Sequence, residues 1–68
     1  MNEEALNQSI RKFLKTVGVN SQHEIEKAVR AAVAAGRAKG VESFAATMRL
    51  RVAGIDLDVE FDGDIKLE

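Results

Sequence analysis

Two stretches near the start of the chain repeat apolar residues at the three- and four-residue steps of an amphipathic helix. The first follows Asn2, a residue type that caps helices, and stops before Gly18. The second follows residues 21–24, where Ser21 and Glu24 have the spacing of a capping box, and ends near Gly36. The pattern predicts helices over about residues 3–17 and 22–36. Their apolar positions are Leu6, Ile10, Phe13, Leu14 and Val17 in the first helix, and Ile25, Ala28, Val29, Ala32 and Val33 in the second.

From Phe44 onward the apolar residues alternate with polar ones, which is the period of a half-buried strand. Two strands are predicted, over about residues 44–52 and 55–61. A two-residue turn at Ala53 and Gly54 places Val52 opposite Ile55. In this register Leu50 faces Leu57, and the two arginines of the first strand lie opposite Asp56 and Asp58 on the other face.

A third, short strand is predicted over about residues 65–67. It requires residues 62–64, Asp-Gly-Asp, to form a three-residue loop. Together these elements predict an α+β fold of order α-α-β-β-β, a helical hairpin packed on one face of a three-stranded antiparallel meander. The 68 residues suffice for one small domain, residues 1–68.

Composition excludes several classes of protein. The chain has no cysteine, which rules out disulfides, thiolate metal sites and a nucleophilic thiol. It has no apolar run long enough for a membrane span, and its acidic, polar start is unlike a signal peptide, so we expect a cytoplasmic protein.

Charge is distributed unevenly along a chain whose formal net charge is −1. Residues 1–40 hold most of the basic side chains, and residues 41–68 hold most of the acidic ones. This asymmetry makes the molecule dipolar, which favours binding to an oppositely charged surface. The basic candidates for partner or nucleic-acid contacts are Arg11, Lys12, Lys15, Lys27, Arg30, Arg37 and Lys39.

Three patterns in the sequence approach a known chemical site, and none predicts a catalytic or metal site. Residues 58–65 carry carboxylates at positions 1, 3 and 5 of a calcium-binding loop, but residues 55–61 are a predicted strand where that loop requires an entering helix. His23 is the only histidine, and an exposed residue in a first helical turn explains it. Residues 17–22 resemble the turn of a helix–turn–helix, but Glu24 and Lys27 occupy positions that this motif keeps apolar.

A set of segments spread along the chain forms a recognisable pattern: Met1–Glu4, residues 9–19 (SIRKFLKTVGV), Ser21-Gln22, residues 24–30 (EIEKAVR) and the ending Ile65-Lys66-Leu67-Glu68. In these segments the chain resembles, over its whole length, a family of small, roughly 70-residue proteobacterial proteins of unknown function, and the helical part is the more specific. It implies a small bacterial protein without an assigned activity, so it assigns no functional residues.

These observations favour a non-enzymatic module that binds another protein or a second copy of itself as a homodimer. The alternative is weak nucleic-acid binding through the basic helical side chains. No cofactor is expected.

Overall fold

The structure, a computed structural model, describes residues 1–68 as two compact units, Met1–Arg37 and Ala38–Glu68. It is an α+β protein, with one long helix followed by a two-stranded antiparallel hairpin. The predicted helical hairpin and three-stranded meander are therefore wrong. The elements are helix α1 (Glu3–Ala34), strand β1 (Ser43–Val52), a short 3-10 helix (Ala53–Ile55) and strand β2 (Leu57–Lys66).

Helix α1 begins as predicted but passes through the predicted break. The Asn2 side chain accepts a hydrogen bond from the backbone N–H of Ala5 at 3.0 Å, which is an N-cap. Gly18 lies inside the helix, where glycine costs about 1 kcal/mol relative to alanine. The helical spacing of the apolar residues continues through the predicted turn, and the cost of one glycine does not end the helix there. The predicted capping box at residues 21–24 is not a helix start, and Gln22 instead donates to Glu26, which lowers the pKa of that carboxyl.

The end of α1 is the glycine stop predicted at residue 36. Gly36 has a φ of +77°, in the left-handed region that glycine adopts without strain. The N–H of Arg37 donates to the carbonyl of Ala32 at 2.8 Å, and the N–H of Gly36 donates to that of Val33 at 3.1 Å. These two bonds form a Schellman motif, which satisfies carbonyls at the end of the helix.

The hairpin has the predicted faces but a different register. Val52 pairs with Leu57, and four residues, Ala53 to Asp56, form the connection. Asp56 has a φ of +54°, a conformation that aspartate tolerates better than most residues. The predicted two-residue turn is wrong, and the residue of β2 that faces Val52 lies two positions later in the chain than predicted. Because side chains in a strand alternate with a period of two, this shift leaves every apolar residue on its predicted face.

The predicted third strand is instead the end of β2. Residues 62–64 stay within the strand, with Gly63 opposite Ala46, and Ile65 pairs with Phe44. Continuing the strand gives every residue of β1 a partner on β2, whereas a loop at 62–64 would leave the first part of β1 unpaired.

Neither unit has an apolar core of its own. No side chain of α1 is buried, and the only buried apolar residue of the chain is Ala38, in the loop before β1. A single helix or a two-stranded ribbon has no second layer against which to bury its apolar side.

Glu42 organises the loop that leads into β1. Its carboxylate accepts hydrogen bonds from the backbone N–H groups of Lys39, Gly40 and Val41 at 2.8–3.1 Å. Its carbonyl accepts from the N–H of Leu67 at 2.9 Å, which joins the loop to the chain just after β2. The backbone N–H groups, that of Lys39 foremost, lower the pKa of the Glu42 carboxyl.

We expect Glu42→Gln to loosen this loop, because an amide oxygen accepts these hydrogen bonds more weakly than a carboxylate does. In the unaltered chain, the stabilisation is present above the ordinary glutamate pKa and is lost as pH falls through the lowered pKa of the folded state. Hydrogen exchange at the amides of Lys39, Gly40 and Val41 measures both effects. Glu24→Gln removes a charge from α1 and should leave the three amides unchanged. Equal exchange in the E42Q variant and the unaltered protein would contradict this role.

Candidate interaction surfaces

Helix α1 has one continuous apolar side, which we call the helix stripe. Steps of three and four residues place its members on one side of a helix about 48 Å long. Its large side chains are accessible, with Leu6 43%, Ile10 45% and Phe13 52% exposed. The helix stripe consists of Leu6, Ile10, Phe13, Leu14, Val17, Ser21, Ile25, Ala28, Val29 and Ala32.

The hairpin has a second apolar surface, the hairpin apolar face. Cross-strand pairs cover it along its length, including Met48 with Phe61 and Leu50 with Val59. Met48 is 45% exposed and Phe61 is 59% exposed, although a cross-strand neighbour lies beside each of them. The hairpin apolar face consists of Phe44, Ala46, Met48, Leu50 and Val52 of β1, and Leu57, Val59, Phe61 and Ile65 of β2.

The opposite face of the hairpin is charged and is centred on Asp58. Arg49 donates two hydrogen bonds to this carboxylate, from Nε to Oδ1 at 2.8 Å and from Nη2 to Oδ2 at 2.7 Å. The Nε of Arg51 lies 4.0 Å from Oδ2 of the same carboxylate. The hydrogen bonds from Arg49 lower the pKa of the Asp58 carboxyl. The sequence register predicts Arg49 directly opposite Asp58, but the structure pairs these two residues diagonally, because Arg51 stands directly opposite Asp58.

We expect Arg49→Lys to raise the pKa of Asp58 back toward its ordinary value, because an ammonium group cannot form the two parallel hydrogen bonds of a guanidinium. Titration of the Asp58 carboxyl followed by NMR measures this change. Arg51→Lys is the matched control, since Arg51 makes no hydrogen bond to Asp58 and should shift the titration less. A larger shift in the R51K variant than in the R49K variant would contradict this assignment.

A shallow, open depression lies on the hairpin between its open end and its middle. It is lined by residues 45–47 of β1 and 62–64 of β2. Asp62 is one of the carboxylates in the calcium-loop pattern, and here it lies on a continuous strand. The structure brings together no group of three or more His, Cys, Asp or Glu side chains that could hold a metal ion.

The predicted basic contact residues are divided between the two units. Lys12 and Arg30 lie five helical turns apart, on the same side of α1. Arg30 forms an ion pair with Glu26, in which Nη1 of the arginine lies 3.6 Å from Oε2 of the glutamate. Arg37 follows the helix, and Lys39 lies in the second unit. The remaining three of the set on α1 are Arg11, Lys15 and Lys27.

The fold defines the class: a small α+β protein with one long amphipathic helix and one amphipathic β-hairpin. The chain belongs to a family of unknown function (DUF6494), whose family model matches residues 1–68. No curated protein and no solved structure matches the chain. Membership in a family of unknown function is thus confirmed over the whole chain, while its proteobacterial source stays a prediction.

Helix α1 is long, but it is too polar to cross a lipid bilayer, and the structure has no other α-helix.

Proposed function

We propose that this chain is a non-enzymatic protein-interaction module that binds protein through its two apolar surfaces. The observation that carries the proposal is the exposure of the helix stripe and the hairpin apolar face, where Phe13, Met48 and Phe61 are all 45–59% exposed. Contiguous apolar surface of this kind on a small protein is typical of an interaction site.

The stability of the chain also favours a bound state. An isolated two-stranded hairpin is marginal in water and needs further strands or a packed helix. Each large apolar side chain that becomes fully buried contributes about 1.5–3 kcal/mol. A partner that covers either apolar surface would therefore stabilise the fold and gain affinity from the same side chains.

The alternative function is weak nucleic-acid binding through basic side chains of α1. One observation favours it: Arg11, Lys12 and Lys15 lie within about one turn of a continuous helix, and none of them has an ion-pair partner in the structure. Against it, Glu24 and Glu26 are interspersed with the more distal basic residues of α1.

Capture from a bacterial lysate with the tagged chain as bait, with and without nuclease, tests this proposal. Met48→Asp places a charge on the hairpin apolar face, while Thr47→Asp places the same charge on the opposite face of the same strand. We expect the unaltered and T47D chains to retain protein after nuclease treatment, and the M48D chain to lose it, because a buried carboxylate without a partner is costly.

Two results would count against the proposal. Retention that disappears with nuclease would favour the basic side chains of α1 instead. Equal retention by the M48D and T47D chains would show that the hairpin apolar face is not the binding surface. Circular dichroism of both variants checks that the helix and strands are preserved.

A further inference from the structure

The hairpin has two open edges, one along each strand. The sheet contains only β1 and β2, so the outer edge of each ten-residue strand has backbone groups without a partner strand. Open edges of this length pair readily with another strand unless charges prevent it. The side chains that flank the two edges differ, and this difference determines which edge can accept a strand.

The edge of β2 is protected against a second copy of itself. All the alternate residues of β2 from Asp58 to Asp64 on its charged face are acidic. If two β2 strands paired antiparallel around Phe61, Glu60 would face Asp62 and Asp58 would face Asp64. Every such pair joins like charges, which destabilises a cross-strand contact.

The edge of β1 is complementary to a second copy of itself. When two β1 strands pair antiparallel around Met48, Arg51 faces Ala45 of the second copy, and Arg49 faces Thr47. Ala45 and Thr47 are small, and their own cross-strand partners are Asp64 and Asp62. Arg49 is already held by two hydrogen bonds to Asp58 of its own hairpin. Arg51 is therefore the arginine that can extend over Ala45 of the other copy toward Asp64.

The apolar face is complementary in the same register. Leu50 of one copy lies beside Ala46 of the other, so the large pair Leu50 and Val59 adjoins the small pair Ala46 and Gly63. Residues 44–52 are centred on Met48. Only the antiparallel register around Met48 therefore aligns this stretch over its full length in both copies, with the apolar faces on one side.

We propose that the chain forms a two-fold symmetric homodimer in which the β1 strands of two copies pair antiparallel around Met48. The result is a four-stranded sheet of order β2-β1-β1-β2, with one continuous apolar face and acidic outer edges. This proposal rests on the proposed interaction function and names its partner as a second copy. Four strands also exceed the three that an independently stable sheet requires.

Two experiments on the full chain test the dimer. Sedimentation equilibrium of the unaltered protein should give about 14.8 kDa, twice the chain mass of 7.4 kDa. Because the chain has no cysteine, Met48→Cys provides a single thiol at the proposed two-fold axis. Facing residues on paired strands have Cα atoms about 4.5–5.5 Å apart, which suits a disulfide. Phe61→Cys is the control, since the two residues 61 would lie about 14 Å apart across the sheet.

We expect the M48C protein to form a disulfide-linked dimer in mild oxidant and the F61C protein to remain unlinked. A sedimentation mass of 7.4 kDa up to high micromolar concentration, with helix and strand signals retained, would overturn the proposal. A dimer that links through residue 61 and not through residue 48 would also overturn it. Neither result prevents the capture of a different protein from lysate, so the dimer and the interaction function fail separately.

Discussion

Replacing Phe13 by aspartate should weaken protein binding by at least roughly 4- to 13-fold, because a partner can bury only the exposed half of a side chain whose full burial contributes about 1.5–3 kcal/mol. Phe13 lies on the helix stripe and is 52% exposed, so its ring is available to a partner. An aspartate there would bring a charge into the apolar contact, and desolvating that charge adds to the loss. Isothermal titration with a captured partner measures the change.

Lys12→Asp is the matched control, because it places the same side chain one residue earlier, on the polar side of α1. It should leave protein binding nearly unchanged. If the chain bound nucleic acid, the K12D variant would lose affinity and the F13D variant would not, since Lys12 would contact phosphate and Phe13 would not. Strong binding by the F13D protein together with weak binding by the K12D protein would therefore contradict the interaction module.

Replacing Gly18 by alanine should raise the free energy of unfolding by about 1 kcal/mol, because alanine is the better residue inside a helix. The structure leaves room for the change: a β-carbon at residue 18 meets no atom within 4 Å. Thermal unfolding followed by circular dichroism measures the effect.

Gly36→Ala is the control for this experiment. Its φ of +77° strains any residue with a β-carbon, so this variant should lower stability by about 1–2 kcal/mol. The direction in which the G18A change moves the free energy of unfolding therefore distinguishes one long helix from a helical hairpin. A loss of stability in the G18A protein would mean that Gly18 ends a first helix, as in a helical hairpin.

The helical pattern of the sequence predicts the apolar side of α1 but not its continuity. Gly18 and Ser21 are typical of a helix end and a new start, and a glycine within a helix gives the same local signal. Steps of four residues from Val17 to Ser21 to Ile25 keep the helix stripe on one side, and this spacing is the evidence in the sequence for a single helix. The capping residues Gly18 and Ser21 predict a break in the helix, whereas the spacing of the apolar residues is that of one unbroken helix.

The alternation in the hairpin predicts both of its faces but not the register. The faces depend only on the period of two, which survives a shift of two residues. The register depends on the turn, and the αL conformation of Asp56 makes the connection two residues longer than predicted. Residues 62–64 look like a turn in sequence, yet pairing between Phe44 and Ile65 holds them in β2.

The candidate interaction surfaces follow from the sequence in part. The apolar positions of the helix stripe and the hairpin apolar face are set by the sequence pattern, but their exposure depends on the fold. The sequence alone does not indicate the role of Glu42, since a single carboxylate after Gly40 gives no signal until the backbone N–H groups of the loop converge on it. The complementarity of the β1 edge requires the true register and could not be predicted without it.

The most direct test of the proposed function is the solvent exposure of the Met48 methyl group in the free and bound protein. The chain has two methionines, Met48 on the hairpin apolar face and Met1, which is 98% exposed and serves as an internal reference. Methyl-labelled protein with a soluble paramagnetic agent gives one NMR relaxation rate for each. We predict that Met48 becomes protected as the chain binds its partner or a second copy, while Met1 stays exposed. A Met48 methyl that remains as accessible in the complex as in the free chain would contradict this account.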